Sequence, residues 1–348
     1  MIEKILFGTD ENNNSIYKYV VNNGRIQASF CETGAAIMSI VVKDKNDIDR
    51  DVVLGLEKYE DYKRNWPAFG AVIGRYANRI NKACFEINGT KYKLKKNIWG
   101  GCLHSGYSYH FRDWDSDAFE DEEGIHVIFR LRSEDNDQGF PGSLNVEVEY
   151  VLGMDNSLTI LYRYESDKDT AVNLTNHCYF NLLGHDGGTI LDHNLFINSD
   201  KVTQVDKKLM PNGNILNVEG SAFDFTAMCS IRENMNKSFK PYCHDREYDI
   251  NYVLSDKQGE YMNAARLEAP ETGLGLRVYT DMPGMQFYTG NAVNGFFGKN
   301  NVKYEKYPGV CFETQFYPDA VNIEKFPSPV IRAGEKKQTR TRFEFYQI

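Results

Sequence analysis

Alternation of apolar and polar residues is the clearest pattern along the chain. From Leu144 to Tyr150, apolar residues occupy every second position, with Asn and Glu between them. A period of two is typical of a β-strand that buries one face and exposes the other. Runs rich in β-branched and aromatic residues recur at 26–30, 36–42, 125–131 and 158–164, and each is predicted to be a strand.

Turn signals between these runs favour antiparallel connections. Asn-Gly pairs occur at positions 23–24, 88–89 and 212–213, where they suit the positive φ angles of tight hairpins or loops. Helical periodicity is scarce, and segment 56–62 is the best helix candidate. The acidic stretch 113–123 is predicted to be a solvated loop between strands. We therefore predict an all-β protein, a large antiparallel β-sandwich with few short helices.

Length and charge limit the classes of partner. The 348 residues exceed the usual length of one domain, but large β-sandwiches reach this size and no linker divides the chain. We predict a single domain over residues 1–348. The net charge of −9, without a basic block, gives no support for binding nucleic acid or an anionic membrane. The N-terminus lacks a sustained apolar region, so a cytoplasmic protein is predicted.

The cysteines, histidines and glycines give little support for a metal or a cofactor. The seven cysteines are scattered without a Cys-x-x-Cys pair, which predicts reduced and mostly buried thiols. No ligand spacing relates the histidines at positions 110, 126, 185, 193 and 244, so we predict no metal site. The Gly273-Leu274-Gly275 segment lacks the third glycine and the helix of a dinucleotide fingerprint.

One acidic residue, Glu313, interrupts an apolar, strand-like run. It follows Val310, Cys311 and Phe312 directly. An unpaired carboxylate is costly to bury, so its presence needs a reason. A carboxylate in a partly dry site can be tuned toward general-base catalysis. Glu313 is therefore the first candidate for a catalytic residue.

Several other polar residues lie in constrained surroundings, and each has two interpretations. A lone histidine such as His104 or His177 is more often a hydrogen-bonded residue near a core than a catalytic one. Arg79 suits a surface ion pair, Asp249 suits a turn cap before a strand, and Gln286 suits an ordinary strand position. None is diagnostic alone, so the residues by themselves leave both interpretations open.

The order of the motifs that contain these residues is more specific. These motifs lie at residues 74–80, 103–106, 176–182, 222–226, 248–252, 283–291 and 313–320. In this order, and over nearly the whole chain, they resemble the galactose mutarotase (aldose 1-epimerase) family. Two places differ from the family pattern: Ser105 stands where a glycine is usual, and the approach to His104 at 98–101 is altered.

The resemblance implies a fold and a set of roles. The fold would be the large antiparallel sandwich known as a supersandwich. Glu313 would be the general base and His177 the general acid. The sugar-binding positions would be Asn78, Arg79, His104, Asp249 and Gln286. The substrate would be a free aldohexose, and the oligomeric state stays open between a monomer and a homodimer.

This chemistry requires no redox step and no cofactor. The base removes the proton of the C1 hydroxyl while the acid protonates the ring oxygen, and each positioned group contributes about 10²–10⁴-fold. Rotation about C1–C2 and reversed proton transfers then give the other anomer. We expect a protonated His177 and an ionised Glu313 together near neutral pH, with a bell-shaped rate profile. Tyr179, Phe180, Phe287 and Tyr288 are candidates for sugar stacking, although core packing is the more common role for such residues.

Three alternatives remain. A sugar-binding module would keep the cleft but would not need both an acid and a base. A glycoside hydrolase would need two carboxyl groups across the scissile bond, with Asp249 in the role of the acid. An epimerase of phosphorylated sugars would need more Arg or Lys around the cleft than Arg79 alone.

Overall fold

A computed structural model describes residues 1–241, 247–255 and 258–348 of the protein. Cys243 and His244, which belong to the cysteine and histidine sets considered above, lie outside these ranges. Within them, six cysteines are free thiols, and four of the six are buried, as predicted. No helix in the described ranges has the length and apolar character needed to cross a membrane.

The largest sheet has nine strands, and all its pairings are antiparallel. We call it the nine-stranded sheet. In spatial order its strands are Asp115–Glu120, Gly124–Ser133, Leu144–Gly153, Ser157–Ser166, Lys336–Gln347, Leu274–Thr280, Met262–Ala269, Asn194–Ile197 and Cys229–Ser230.

Two further sheets complete the main architecture. The six-stranded sheet contains Tyr179–Phe180, Val310–Gln315, Gly284–Tyr288, Asp249–Val253, Lys201–Val205 and Pro211–Asn217, in this spatial order. The five-stranded sheet contains Ile2–Thr9, Ser15–Asn22, Gln27–Cys31, Ala36–Lys43 and Asp49–Asp51.

The remaining elements are short. Five strand pairs join Arg79–Asn81 to Gly101–Leu103, Val72–Ile73 to Thr175–Asn176, Cys84–Ile87 to Thr90–Lys93, Thr170–Ala171 to Val330–Ile331, and Phe296–Phe297 to Lys303–Tyr304. The α-helices are Tyr59–Tyr62, His104–Tyr107 and Ile231–Met235, and the 3₁₀ helices are Tyr109–Phe111, Asp137–Gly139, Lys299–Asn301 and Ala320–Asn322.

The core lies between the sheets and explains the alternating sequence pattern. Val146 and Val148 of the nine-stranded sheet, Phe30 of the five-stranded sheet, and Phe287 and Phe312 of the six-stranded sheet belong to one buried cluster. The inward face of each sheet is therefore apolar, as a β-sandwich requires. The predicted antiparallel β-sandwich with few short helices is confirmed, and all five predicted strand runs fall on observed strands to within one residue.

Three local predictions need correction or adjustment. The acidic stretch 113–123 is not a loop, because Asp115–Glu120 forms the edge strand of the nine-stranded sheet, where charged side chains discourage pairing with other chains. The Asn-Gly pair at 212–213 lies inside the strand Pro211–Asn217, although Gly213 does have a positive φ of 86°. The predicted helix 56–62 shortens to Tyr59–Tyr62.

Candidate active site

Because side chains alternate along a strand, the side chain of Glu313 points away from the sandwich core. In the strand Val310–Gln315, Val310 and Phe312 belong to the main core cluster, so Cys311 and Glu313 face the opposite side of the six-stranded sheet. Glu313 is 2% exposed. Its Oε2 has no hydrogen-bond partner among the described residues. The carboxyl group is thus buried and still able to accept a contact.

The neighbouring strands place two more polar residues on the same face. Gln286 lies directly opposite Glu313, and Asp249 lies opposite Tyr288. Gln286 Nε2 donates a hydrogen bond of 2.6 Å to Asp249 Oδ1. Gln286 is buried and does not line the cavity described below. The structure therefore places Gln286 behind Asp249, which it supports.

His177 is fixed by its backbone and by aromatic neighbours. Its N–H donates to the carbonyl of Ala71 at 2.9 Å, and its own carbonyl accepts from the Gly70 N–H at 3.0 Å. The imidazole stacks on the Tyr179 ring, with a centroid distance of 4.9 Å. These contacts bring His177 Nε2 to 3.7 Å from Glu313 Oε1, although the two residues are far apart in the sequence.

His104 and Asn78 hold each other through backbone groups. The Asn78 N–H donates to His104 Nδ1 at 3.1 Å, and the His104 N–H donates to the Asn78 carbonyl at 3.0 Å. Both residues have positive φ angles, 61° for Asn78 and 50° for His104. Because Nδ1 accepts a hydrogen bond, the proton of the neutral ring resides on Nε2. His104 is therefore a hydrogen-bond donor through Nε2.

Arg79 and Asp249 form an ion pair that is largely shielded from solvent. The distance from Arg79 Nη2 to Asp249 Oδ2 is 3.1 Å, and the two side chains are 12% and 21% exposed. Arg79 Nη1 also donates to Asn78 Oδ1 at 3.3 Å. Arg79 is thus not a surface ion-pair residue. Asp249 uses one oxygen for Arg79 and the other for Gln286.

A cavity of about 530 Å³ brings most of the predicted residues together. Six of the seven line it, and Gln286 is the exception. The predicted residues in its wall are Asn78, Arg79, His104, His177, Asp249 and Glu313. The rings of His104 and His177 are 5.7 Å apart.

Sequence reasoning missed much of the cavity wall. The additional lining residues include Trp66, Pro67, Tyr107, Leu209, Glu247, Asn291, Val293 and Phe296. The sequence around Trp66 gave no signal of a site, and only the structure shows this side chain 62% exposed in the cavity wall. Of the aromatic candidates, Tyr179 and Tyr288 line the cavity, whereas Phe180 and Phe287 belong to the core.

Burial pushes both members of the central pair toward their neutral forms. Burial lowers the pKa of His177 to about 4, a shift that the nearby Asp249 opposes. Burial and the negative charge of Asp249 raise the pKa of Glu313 well above its usual value, against the effect of Arg79. Between these two pKa values the pair holds one proton, on the carboxyl group. Both shifts oppose the expected pairing of imidazolium with carboxylate near neutral pH.

Ser105 connects the His104 loop to the segment that carries Asn78 and Arg79. Its Oγ accepts a hydrogen bond from the Tyr76 N–H at 2.6 Å and donates to the Tyr76 carbonyl at 3.1 Å. Ser105 has a φ of 51°, a conformation that favours glycine. The two buried hydrogen bonds of the Ser105 hydroxyl thus offset the strain of its left-handed backbone.

The same cluster fits a metal ion poorly. Ligand atoms of His104, His177 and Glu313 lie within 4.8 Å of one another. A metal on His104 Nε2 would require the proton to move to Nδ1, where the Asn78 N–H already points. This donor therefore makes His104 a poor metal ligand.

Comparison with solved structures identifies the fold. A crystal structure of galactose 1-epimerase from Lactobacillus acidophilus NCFM superposes with a TM-score of 0.86 at 24% identity, covering 100% of this chain and 99% of that one. An aldose epimerase homologue from C. elegans gives 0.86 at 25% identity, covering 96% and 99%. The fold is the galactose mutarotase-like β-sandwich.

Sequence comparison then defines the family. The aldose 1-epimerase family profile matches residues 17–344. Galactose mutarotase from Mus musculus is 37% identical over 333 residues, which are 95% of this chain and 94% of that protein. Aldose 1-epimerase from Haemophilus influenzae is 34% identical over 327 residues, covering 93% and 94%. The chain belongs to the aldose 1-epimerase family, as its motifs predicted.

Proposed function

We propose that this protein is an aldose 1-epimerase that interconverts the α and β anomers of free aldoses such as galactose and glucose. The proposed general base is Glu313 and the proposed general acid is His177. The observation that carries the proposal is the 3.7 Å separation of His177 Nε2 and Glu313 Oε1 in the wall of one cavity. Both oxygens that must exchange protons are bonded to C1 of the sugar, so a pair this close can reach both.

The proton count of the pair fits this reaction. A shift of the shared proton from Glu313 Oε1 to His177 Nε2 creates the ionic pair. Glu313 then takes the proton of the C1 hydroxyl, His177 gives its proton to the ring oxygen, and the C1–O5 bond breaks to leave an aldehyde. After rotation about C1–C2, the same transfers in reverse close the ring on the other face.

The remaining polar residues of the cavity suit the binding of sugar hydroxyl groups. His104 offers an Nε2–H donor, because its Nδ1 is occupied by the Asn78 N–H. Arg79 and Asp249 supply charged partners whose positions are fixed by their ion pair. We assign Gln286 an indirect role, since its contact is with Asp249. Such preorganised groups position the reacting atoms at little entropic cost.

Charge in the cavity argues against the two nearest alternative enzymes. Among the described residues of its lining, Arg79 is the single Lys or Arg, against the carboxyl groups of Glu247, Asp249 and Glu313. That balance disfavours a sugar phosphate. Asp249 has both oxygens in contact with Arg79 and Gln286, which makes it a poor proton donor for glycoside hydrolysis. A free, neutral aldose in the cytoplasm is the proposed substrate.

Polarimetry of freshly dissolved α-D-galactose tests the proposal. We expect the protein to accelerate the approach to the equilibrium rotation, and Glu313→Gln to lower kcat by about 10²–10⁴-fold while sugar binding persists. A non-catalytic binding module would give the uncatalysed rate with both proteins, which would refute the proposal.

The chain supplies a matched control for loss of a buried glutamate. His126 Nδ1 lies 2.6 Å from Glu149 Oε1 on the nine-stranded sheet, away from the cavity lining. Glu149→Gln also removes the charge of a buried Glu–His pair, so it tests for general damage. We expect its rate per folded molecule to stay within about twofold of the unmodified protein, as for a change outside the reacting groups.

A further inference from the structure

The imidazole of His177 has a second contact, on the side that faces away from Glu313. Cys311 Sγ lies 3.4 Å from His177 Nδ1. Cys311 precedes Glu313 by two residues on the same strand, so both side chains project from one face of the sheet. The ring is therefore held between a thiol at Nδ1 and a carboxyl group at Nε2.

The sheet fixes the position of this thiol. Cys311 pairs with Tyr179 on one neighbouring strand and with Tyr288 on the other. The same two tyrosines contact the imidazole, Tyr179 by stacking at 4.9 Å and Tyr288 edge-on at 6.0 Å. Cys311 is completely buried. The sulfur and the ring thus share one rigid set of neighbours.

The proposed proton transfers need a particular tautomer of His177. Nε2 faces Glu313 and must lack a proton in the neutral ring, so that it can take one and later give it to the sugar. The proton of the neutral ring must then lie on Nδ1, which needs an acceptor. The backbone carbonyl of His177, which accepts the Gly70 N–H at 3.0 Å, also accepts a hydrogen bond from the ring of the same residue. Among side chains, Cys311 Sγ is the group in contact with Nδ1.

We propose that Cys311 is a positioning residue whose sulfur accepts the Nδ1–H of His177 and thereby keeps Nε2 free to exchange protons with Glu313 and the sugar. This rests on the proposed role of His177 as general acid. The thiol stays protonated, since burial and the charges of Glu313 and Asp249 raise its pKa well above the usual value. A neutral thiol is a weak acceptor, which suits an imidazole that must part with its proton.

Three substitutions separate this role from simple packing. Cys311→Ser retains an acceptor, Cys311→Ala removes it and leaves space, and Cys311→Val removes it but fills the space. We expect the Ser variant to keep its kcat within about threefold, and the Ala and Val variants to lose about tenfold, a fraction of the 10²–10⁴-fold that a positioned acid contributes. KM should change little in all three.

The pH profile gives a second readout. The titratable groups that face His177 besides Cys311 are Glu313, Asp249, Tyr288, Tyr179, His104 and His110. All of them stay in place in the Ser variant. Because oxygen is a stronger acceptor than sulfur, Cys311→Ser should stabilise the imidazolium and move the acid limb of kcat/KM upward by about one pH unit.

Nitrogen-15 NMR of histidine-labelled protein measures the tautomer without relying on activity. The His177 signals are assigned by their loss in His177→Gln. We expect the Nδ1–H form in the unmodified protein and in Cys311→Ser, and a larger share of the Nε2–H form in the Ala and Val variants, where the backbone carbonyl is the remaining acceptor. Cys31→Ser is the matched control, because Cys31 is a buried thiol of the same apolar cluster that contacts the Thr33 carbonyl instead.

Two outcomes overturn the proposal. The first is an unchanged tautomer in all Cys311 variants. The second is a rate order set by side-chain volume, with Ser and Ala alike and Val different from both, as a packing role would give. Different results would refute the proposed enzyme function itself. In that case the unmodified protein would not accelerate anomer exchange, or His177→Gln would remain fully active, whatever the NMR tautomer.

Discussion

Replacement of Ser105 by the family's usual glycine should destabilise this protein, although glycine suits the backbone better. Ser105→Gly removes both hydrogen bonds to Tyr76, at 2.6 and 3.1 Å, and leaves the buried Tyr76 N–H without its partner. That loss costs about 1–3 kcal/mol. Relief of the left-handed backbone, with φ at 51°, returns about 1 kcal/mol. We expect a net loss of about 1 kcal/mol for glycine and about 2 kcal/mol for Ser105→Ala, which keeps the strain.

Urea unfolding followed by tryptophan fluorescence measures these differences by linear extrapolation. Polarimetry on the same variants should show a higher KM, because Ser105 ties the His104 loop to the segment that holds Arg79. Ser108→Ala is the control, since the buried Ser108 hydroxyl has no partner among the described residues. It should change stability by less than about 0.5 kcal/mol. A Ser105→Gly variant as stable as the unmodified protein would refute the argument.

Two further predictions concern the pH profile and a buried lysine. The rate of anomerisation should fall at acid pH, near the His177 pKa of about 4, because His177 becomes protonated while Glu313 still carries its proton. It should also fall at alkaline pH, near the raised pKa of Glu313, because the pair then has no proton left. A rate that is flat from pH 3 to 10 would contradict this. Lys299→Met removes the Nζ contact of 2.6 Å to Asp51, next to the segment with the cavity residue Phe296. This substitution should lower the free energy of unfolding, measured in urea, by about 3 kcal/mol and raise KM more than it lowers kcat. An unchanged KM would show that the contact contributes to stability alone.

Glu313 could be singled out from the sequence for a physical reason that the structure makes clear. The strand Val310–Gln315 is buried on both faces, with the core on one side and the cavity on the other. A strand of this kind appears as a nearly continuous apolar run. A charge within such a run then indicates a polar site on one of its faces. The same reasoning predicted the other strands, because their inward positions alternate.

The arrangement around Asp249 could not be predicted in this way. Its contact with Gln286 depends on the register between two strands that are 37 positions apart in sequence at these residues. Register follows from the whole sheet and not from either segment. The placement of Gln286 behind Asp249, and not in the cavity wall, is a consequence of that register.

The protonation states of His177 and Glu313 were the other feature that could not be predicted from the residue types. Their ordinary pKa values suggest an imidazolium and a carboxylate near neutral pH. Burial of both groups in one cavity reverses this, lowering the pKa of His177 and raising that of Glu313. Burial depends on the three-dimensional enclosure, to which residues far apart in the chain contribute, such as Trp66 and Phe296.

The neutral form of the pair has a consequence for the proposed reaction. Ring opening consumes the ionic pair and leaves a neutral imidazole and a protonated carboxyl group. Ring closure starts from that neutral pair: His177 takes the proton of the sugar hydroxyl while Glu313 protonates the aldehyde oxygen. Because burial favours the neutral form, it favours ring opening from the ionic pair, and ring closure has to regenerate that ionic pair before the proton returns to Glu313. The cycle then ends with the same single proton on the pair.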